Sequence, residues 1–479
     1  MIDQTSDEAE PATTRQGVIL LAAGTAVILA WAAIWWRFTL DDTYISLRYA
    51  DNLARGHGAV FNLGERVEGY SSPLWVLLLA IPQAAGWNAL PVAKAVGVLC
   101  AVGLPVLLFS TLRRLQCRSL IAGAAALWLA SVPGIHAYAS SGMETLAFAL
   151  AVALAVALPA FWPRPPVPPG GVLVLLVVVA VLRPEGLFLA VALGVFWYGV
   201  GGRARLGVLA ALVVLSALVL ARYHYYGTWL PNTYLAKTSP LVHAVIGQDG
   251  PTSLKTLYLS LYVRPLETLD GIGGTALALC ALLALVVGPR TTGMITAALS
   301  AAVGAVFVGY APMDWMPAGR FALPFVFPLL VLAAVGLDTV TQRMGTADSR
   351  LRLAFGGVLA GWVALNAALT GNLWLRYERG DLNTALDARP YETIGRWLAE
   401  NTAETDAVLA NEIGAIGFFS KRRIIDHEGL VTPDVARVIH RSGGFPRVSA
   451  GENRRAVEEI VAYCVAERPD WFLVRSKGH

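Results

Sequence analysis

The sequence predicts an all-α polytopic membrane protein that ends in a small α/β domain. Three observations predict it. Of 479 residues, 56% are hydrophobic and only 15% are charged, against about 25% charged in an average soluble chain. The apolar residues come in blocks long enough to cross about 30 Å of hydrocarbon. From Gly371 onward that texture stops, and the chain takes on the charge density of a soluble unit.

The elements follow in order. Residues 1–16 read as a polar cytoplasmic tail, 17–370 as the membrane domain and 371–479 as an extracytoplasmic α/β domain. Gly17–Trp36 has full spanning length and no small-residue cleavage site, so it is expected to stay as an uncleaved first helix. A polar loop, 37–72, comes next. Further apolar segments lie near 73–86, 89–112, 119–132, 144–162, 171–182, 187–200, 206–221, 273–288, 292–310, 321–337 and 353–370, about eleven or twelve hydrophobic segments in all. The connectors carrying Arg113, Arg114, Arg118, Arg164, Arg203, Arg205, Arg290, Arg343, Arg350 and Arg352 belong in the cytoplasm by the positive-inside rule. That places 37–72, 133–143, 222–272, 311–320 and 371–479 outside. One parity conflict results, because 73–86 and 89–112 cannot both cross if Arg113 is cytoplasmic. Either one of them is re-entrant or 171–182 and 187–200 are split wrongly. In the tail, Tyr391–Glu400 and Glu452–Glu467 have helical periodicity, and Ala407–Leu409, Arg423–Asp426 and Trp471–Val474 read as short strands.

Composition excludes several function classes. The net charge is only +4, and basic residues are dispersed without interleaved aromatics, so no nucleic-acid partner is expected. Four cysteines, two of them in apolar segments, imply no disulfide framework. Zinc-type His/Cys clusters, a Ser-His-Asp arrangement and a P-loop are absent from the sequence. So is the internal repeat expected of many transporters.

The polar residues that remain gather on the expected outer side. The first loop reads Asp41-Asp42-Thr43-Tyr44-Ile45-Ser46-Leu47-Arg48-Tyr49 and continues through Glu65, Glu68 and Tyr70 to Ser72-Pro73. One acidic residue at a helix start is an ordinary N-terminal preference. Two of them, followed by some thirty polar residues in a charge-poor chain, suggest chemistry. On a helix Asp42, Ser46 and Tyr49 share one face, and Asp41, Ile45 and Arg48 share its neighbour. Asp51 and Arg55 make an i, i+4 pair. Glu144 stands where a helix re-enters the bilayer, and its partner is a metal ion, an arginine or interfacial water. Arg183-Pro184-Glu185-Gly186 lies between two short segments, as a cavity group or as a self-contained ion pair at a helix break. The stretch Tyr225–Lys237 is aromatic-rich, and an interfacial belt explains its aromatics but not Asn232 or Lys237. Arg320 follows Asp314-Trp315 at the outer end of another helix, either as an interface anchor or as a phosphate clasp. Carboxylates that take a proton or hold a metal, beside cations that hold a phosphate, form a site for a phosphate leaving group.

These residues resemble the GT-C superfamily of polyprenyl-phosphate-sugar-dependent glycosyltransferases. The chain is most similar to the mycobacterial-type terminal arabinofuranosyltransferases, and more distantly to the lipid A aminoarabinose transferase and the protein mannosyltransferases. The motifs that carry the resemblance are Asp41-Asp42 with Tyr-Ile-Ser-Leu-Arg-Tyr-Ala, Gly-Met-Glu at 142–144, Arg-Pro-Glu-Gly at 183–186, Leu-Pro-Asn-Thr-Tyr at 230–234, and Arg320 ahead of Leu323-Pro324. Ile425-Asp426-His427-Glu428-Gly429-Leu430 also fits.

The resemblance implies a bacterial inner-membrane enzyme that moves a sugar from a polyprenyl-phosphate donor to a glycan, lipid or protein acceptor by inverting single displacement. Asp41 and Asp42 would be the catalytic carboxylates. Asp41 and Glu144 would hold a divalent ion (Mg, Mn or Ca), with no nucleotide or organic cofactor. Arg320 would hold the donor phosphate. The aminoarabinose transferase has a phosphate-binding Lys where this chain has Ser72, so Lys237 or Arg183 is the expected replacement. Tyr44, Arg48, Glu68, Tyr70, Glu185, Asn232 and Tyr234 would line the substrate site. A transporter or flippase of lipid-linked sugars is the alternative.

Overall fold

A computed structural model describes residues 5–162, 167–237, 274–310, 316, 318–343, 349–380, 387–442 and 454–473. The expected loop 238–272, Arg164, Asp314, Trp315 and Val474 lie outside these residues, as do the side chains of Arg350 and Arg352.

Each of the twelve apolar segments is a helix. They are α1 (Thr5–Ile34), α3 (Pro73–Ala84), α4 (Ala89–Arg114), α5 (Ser119–Ala130), α7 (Thr145–Phe161), α8 (Pro169–Leu182), α9 (Pro184–Val200), α10 (Ala204–Tyr226), α12 (Gly274–Val287), α13 (Thr292–Tyr310), α14 (Val326–Arg343) and α15 (Ser349–Glu378). Among the described residues three further α-helices intervene: α2 (Asp41–Ala54) in the first loop, α6 (Pro133–Ala139) after α5, and α11 (Asn232–Ala236) after α10. Among the described residues, five helices are long and apolar enough to cross a membrane, or six if the bent α5–α6 pair counts as one span. This is a multi-pass membrane protein.

Local chemistry sets the helix ends. Pro73 and Pro184 occupy first-turn positions of α3 and α9, where a missing N–H costs nothing. Asn88 caps α4 by accepting from Leu90 N at 3.0 Å. Pro133 separates α5 from α6, and Val132 before it is extended, as a residue preceding proline prefers.

Helix lengths bear on the parity conflict. At 12 residues each, α3 and α5 are about 18 Å long at 1.5 Å per residue, too short to cross the hydrocarbon alone. The bent α6 extends α5, and α8 and α9 remain two helices with a break at Arg183, whose backbone is extended. Contacts gather Asp42, Glu144, Arg183 and Arg320 at one end of the bundle. Arg113, Arg114, Arg203, Arg205 and Arg343 fall at the other.

The C-terminal part is the α/β unit expected. Three parallel strands, β1 (Ala407–Ala410), β2 (Arg423–Asp426) and β3 (Trp471–Phe472), form a sheet in the order β2-β1-β3. Ala407 pairs with Arg423 and Val408 with Trp471. Parallel neighbours need crossovers. Here α17 (Gly414–Ser420) links β1 to β2, and α18 (Pro433–Arg441) and α19 (Arg454–Ala466) lie between β2 and β3. Helix α16 (Arg389–Asn401) precedes the sheet. One apolar cluster joins α2 and α3 (Tyr44, Leu47, Tyr49, Trp75) to this unit (Tyr391, Val408, Ile416, Val431), so the first loop and the C-terminal unit share a core.

Candidate active site

The site begins with the connector between α1 and α2, whose carbonyls are all satisfied. Lys94 Nζ, from α4, donates to Trp36 O at 2.7 Å and to Phe38 O at 2.8 Å. Tyr377 Oη donates to Arg37 O at 3.3 Å, Ala388 N to Thr39 O at 3.2 Å, and Thr43 N to Leu40 O at 3.1 Å. A connector with every acceptor used has little freedom, so the start of α2 is fixed.

The two aspartates at that start have different surroundings. Asp41 is 1% exposed. Its Oδ2 accepts from Gly414 N at 2.9 Å and its Oδ1 from Ala415 N at 2.8 Å. Burial, reinforced by Asp42 and opposed by these N–H groups, pushes its carboxyl up to about 7. Asp42 is less covered, and its Oδ2 lies 3.9 Å from Arg320 Nη1. It accepts no hydrogen bond among the described residues. Thr43 then donates to Ser141 O at 2.9 Å, tying the same turn to the segment that carries Met143 and Glu144.

Arg320 is the unusual group. It is 7% exposed, its Nε has no partner among the described residues, and Nη1 faces Met316 Sδ at 3.0 Å and Met143 Sδ at 4.0 Å. Thioether sulfur is a weak acceptor, so this buried guanidinium is under-satisfied beside a carboxylate that it does not quite reach. Its Cζ lies 5.0 Å from the Phe321 ring centroid, and Arg183 Cζ lies 5.6 Å from the same centroid. Arg183, 4% exposed, bonds Glu144 Oε1 at 2.6 Å and Glu185 Oε1 at 2.5 Å. An arginine is therefore the partner of Glu144, and the helix-break pair extends into a buried triad.

Several residues with expected roles at the site have other contacts here. Asp41, expected beside Glu144 at a divalent ion, accepts from two backbone N–H groups, and Glu144 pairs with Arg183. Among the described residues no group of three or more His, Cys, Asp or Glu side chains is placed to hold a metal ion. Lys237 is exposed at the end of α11 and has no contact with Asp42 or Arg320 among the described residues.

The residues expected to line a substrate site are largely fasteners. Tyr44 donates to Glu392 at 2.5 Å. Arg48 donates to Phe61 O and Arg422 O, each at 2.7 Å, and to Gly417 O. Glu68 pairs with Arg222, and Tyr70 Oη lies 2.9 Å from Tyr226 Oη. Asn232 donates to Gly429 O at 2.6 Å and Leu430 O at 3.0 Å. Tyr234 packs beside His440. Asp51 holds Arg55 as expected, and it also holds Lys421 at 2.8 Å.

Sequence reasoning missed Lys94, Asn62 and the two methionines against Arg320. A lysine inside an apolar segment was the one legible signal.

The solved structures decide the architecture. An oligosaccharyltransferase from Archaeoglobus fulgidus superposes with a TM-score of 0.50 at 13% identity, covering 93% of this chain and 68% of that one. ArnT from Cupriavidus metallidurans bound to undecaprenyl phosphate also gives 0.50, at 14% identity and 85% coverage of both chains. The chain has the GT-C fold. Within that fold, its sequence is similar to terminal β-(1→2)-arabinofuranosyltransferases. The Mycobacterium tuberculosis protein is 32% identical over 244 residues, 47% of this chain and 38% of its own length. The Corynebacterium glutamicum protein is 30% identical over 252 residues, 46% of this chain and 36% of its own length. The chain thus matches well under half the length of these curated relatives. A family described as a domain of unknown function (DUF8728) matches residues 381–478, the C-terminal end of this GT-C chain.

Proposed function

We propose that this chain is a membrane glycosyltransferase that transfers a sugar, an arabinofuranosyl residue foremost, from a polyprenyl-phosphate donor to a glycan, lipid or protein acceptor. It works on the extracytoplasmic face of a bacterial inner membrane. One observation carries this reading: a buried Arg320, under-satisfied among the described residues, faces a carboxylate, Asp42, that accepts no hydrogen bond from them. The names of the curated relatives support it, and so does the solved ArnT with undecaprenyl phosphate.

In the proposed step the acceptor oxygen attacks the anomeric carbon as the bond from that carbon to the donor phosphate oxygen breaks. Asp42 takes the acceptor hydroxyl proton, and the lipid phosphate leaves with the bonding pair. Arg320 meets the charge that grows on the phosphate oxygens by charge-assisted hydrogen bonds. The configuration inverts. Asp41 serves in this scheme as a fixing point rather than the base. Arg320, supported by Arg183 across Phe321, supplies the positive charge that a divalent ion would otherwise bring.

The alternative, a transporter or flippase, places its polar groups near the midplane on broken helices. Here they sit at helix ends on one side of the bundle. Purified protein incubated with a panel of radiolabelled polyprenyl-phosphate sugars and glycan acceptors tests the reading. Transfer of label from one donor is expected. Translocation of that donor in vesicles without transfer would replace this reading with the transporter.

A further inference from the structure

The seam between the first loop and the C-terminal unit is built with more closeness than simple attachment needs. Gly414 lies so near Asp41 that a Cβ there would stand 2.0 Å from Asp41 O and 2.6 Å from its Oδ2. A Cβ on Gly417 would stand 2.6 Å from Arg48 Nη1. Asp41 and Arg48 share the α2 face that turns toward this unit. Farther along the loop, Asn62 acts as a side-chain strand: its Oδ1 accepts from Ile424 N and its Nδ2 donates to Ile424 O, both at 2.9 Å. The first turn of α2 is thus held by Gly414 and Ala415 on one side and by Ser141 on the other. Asp42 stands between these anchors.

We infer that the C-terminal unit is a working part of the active site. Through its seat on Asp41 it fixes the first turn of α2, and with it the carboxylate of Asp42. Asp41, Asn62 and Gly414 are positioning residues, and the domain of unknown function acquires a role as the clamp of the first loop. The inference rests on the reading of Asp42 given above. A carboxylate that must meet a hydroxyl proton within hydrogen-bond reach loses rate when displaced by as little as an ångström.

The test uses the full-length protein with Gly414→Ala, Asn62→Ala and Asp41→Asn, none of which alters Asp42 or Arg320. Each is expected to lower kcat tenfold or more, with KM for the donor within twofold of wild type. The acid limb of the pH–rate profile is expected to match that of wild type. Hydrogen–deuterium exchange is expected to quicken in a peptide spanning 41–47 while peptides from α4 and α7 are unchanged. Normal kcat in both Gly414→Ala and Asn62→Ala would overturn the inference. Loss of the acid limb in Asp41→Asn would also overturn it, by making Asp41 the base. If wild type transfers no sugar, the functional reading fails, and the exchange measurement still judges the clamp: unchanged exchange at 41–47 overturns it. If Gly414→Ala does not fold, the milder Asn62→Ala carries the test.

Discussion

Oδ2 of Asp42 and Nη1 of Arg320 stand 3.9 Å apart, near enough to attract and too far to hydrogen-bond. The gap separates the two from the ordinary buried ion pair in this protein, Arg183 with Glu144 at 2.6 Å. A satisfied pair is finished structure. An unfinished one has room for a ligand that offers a hydroxyl to the carboxylate and a phosphate to the guanidinium.

Arg320 therefore governs the donor. A hydrogen bond to a charged group is worth about 1.5–3 kcal/mol, so Arg320→Ala is expected to weaken donor affinity by about 10- to 100-fold. Arg320→Lys, which keeps charge but loses the fork, is expected to fall between. Titration with the labelled donor checks this. Unchanged affinity in Arg320→Ala would remove the phosphate contact.

The Arg183 triad governs folding. Removing one partner of a buried pair costs about 3–5 kcal/mol because the other charge is left unpaired. Arg183→Met alone is expected to lower the melting temperature sharply in detergent. The triple variant Arg183→Met, Glu144→Gln, Glu185→Gln removes all three charges and is expected to recover most of that loss. Thermal unfolding followed by size-exclusion chromatography measures both.

Chelation tests the account of charge at the site. With Asp41 on backbone N–H groups and Glu144 on Arg183, EDTA treatment is expected to leave transfer intact. Activity that falls with EDTA and returns with Mg, Mn or Ca would restore the metal.

The pH dependence of Asp41 has a definite sign. Its carboxyl is pushed from 3.8 to about 7 in the fold. Between those values the folded chain holds a proton that the unfolded chain releases. The stability this group contributes is full below about 4 and is lost as pH rises through 7. Asp41→Asn cannot ionise, so the melting-temperature margin of wild type over this variant is expected to shrink from pH 4.5 to 7.5. A widening margin would show that the anion is the favoured form.

Much of this was legible in the sequence. Hydropathy located all twelve apolar helices, and the strand-like runs 407–409 and 423–426 were found because β-branched and apolar runs bounded by polar turns leave a local trace. The facial split of α2 was also local, since Asp41 and Arg48 share a face by helix geometry alone. What those faces meet was not local. Asp41 bonds a residue 373 positions away, and no spacing rule reaches that far, so two adjacent acids looked equivalent until their partners separated them. The same limit hid the role of Arg48, Tyr44 and Asn232. What these residues make is a seam between two parts of one chain.

Asp42 carries the central claim, and a single-turnover measurement tests it most directly. With donor and acceptor saturating, Asp42→Asn is expected to transfer sugar about 10²- to 10⁴-fold more slowly than wild type, the usual contribution of a general base, while photo-crosslinking to the donor is undiminished. Transfer within a few-fold of the wild-type rate would contradict the assignment.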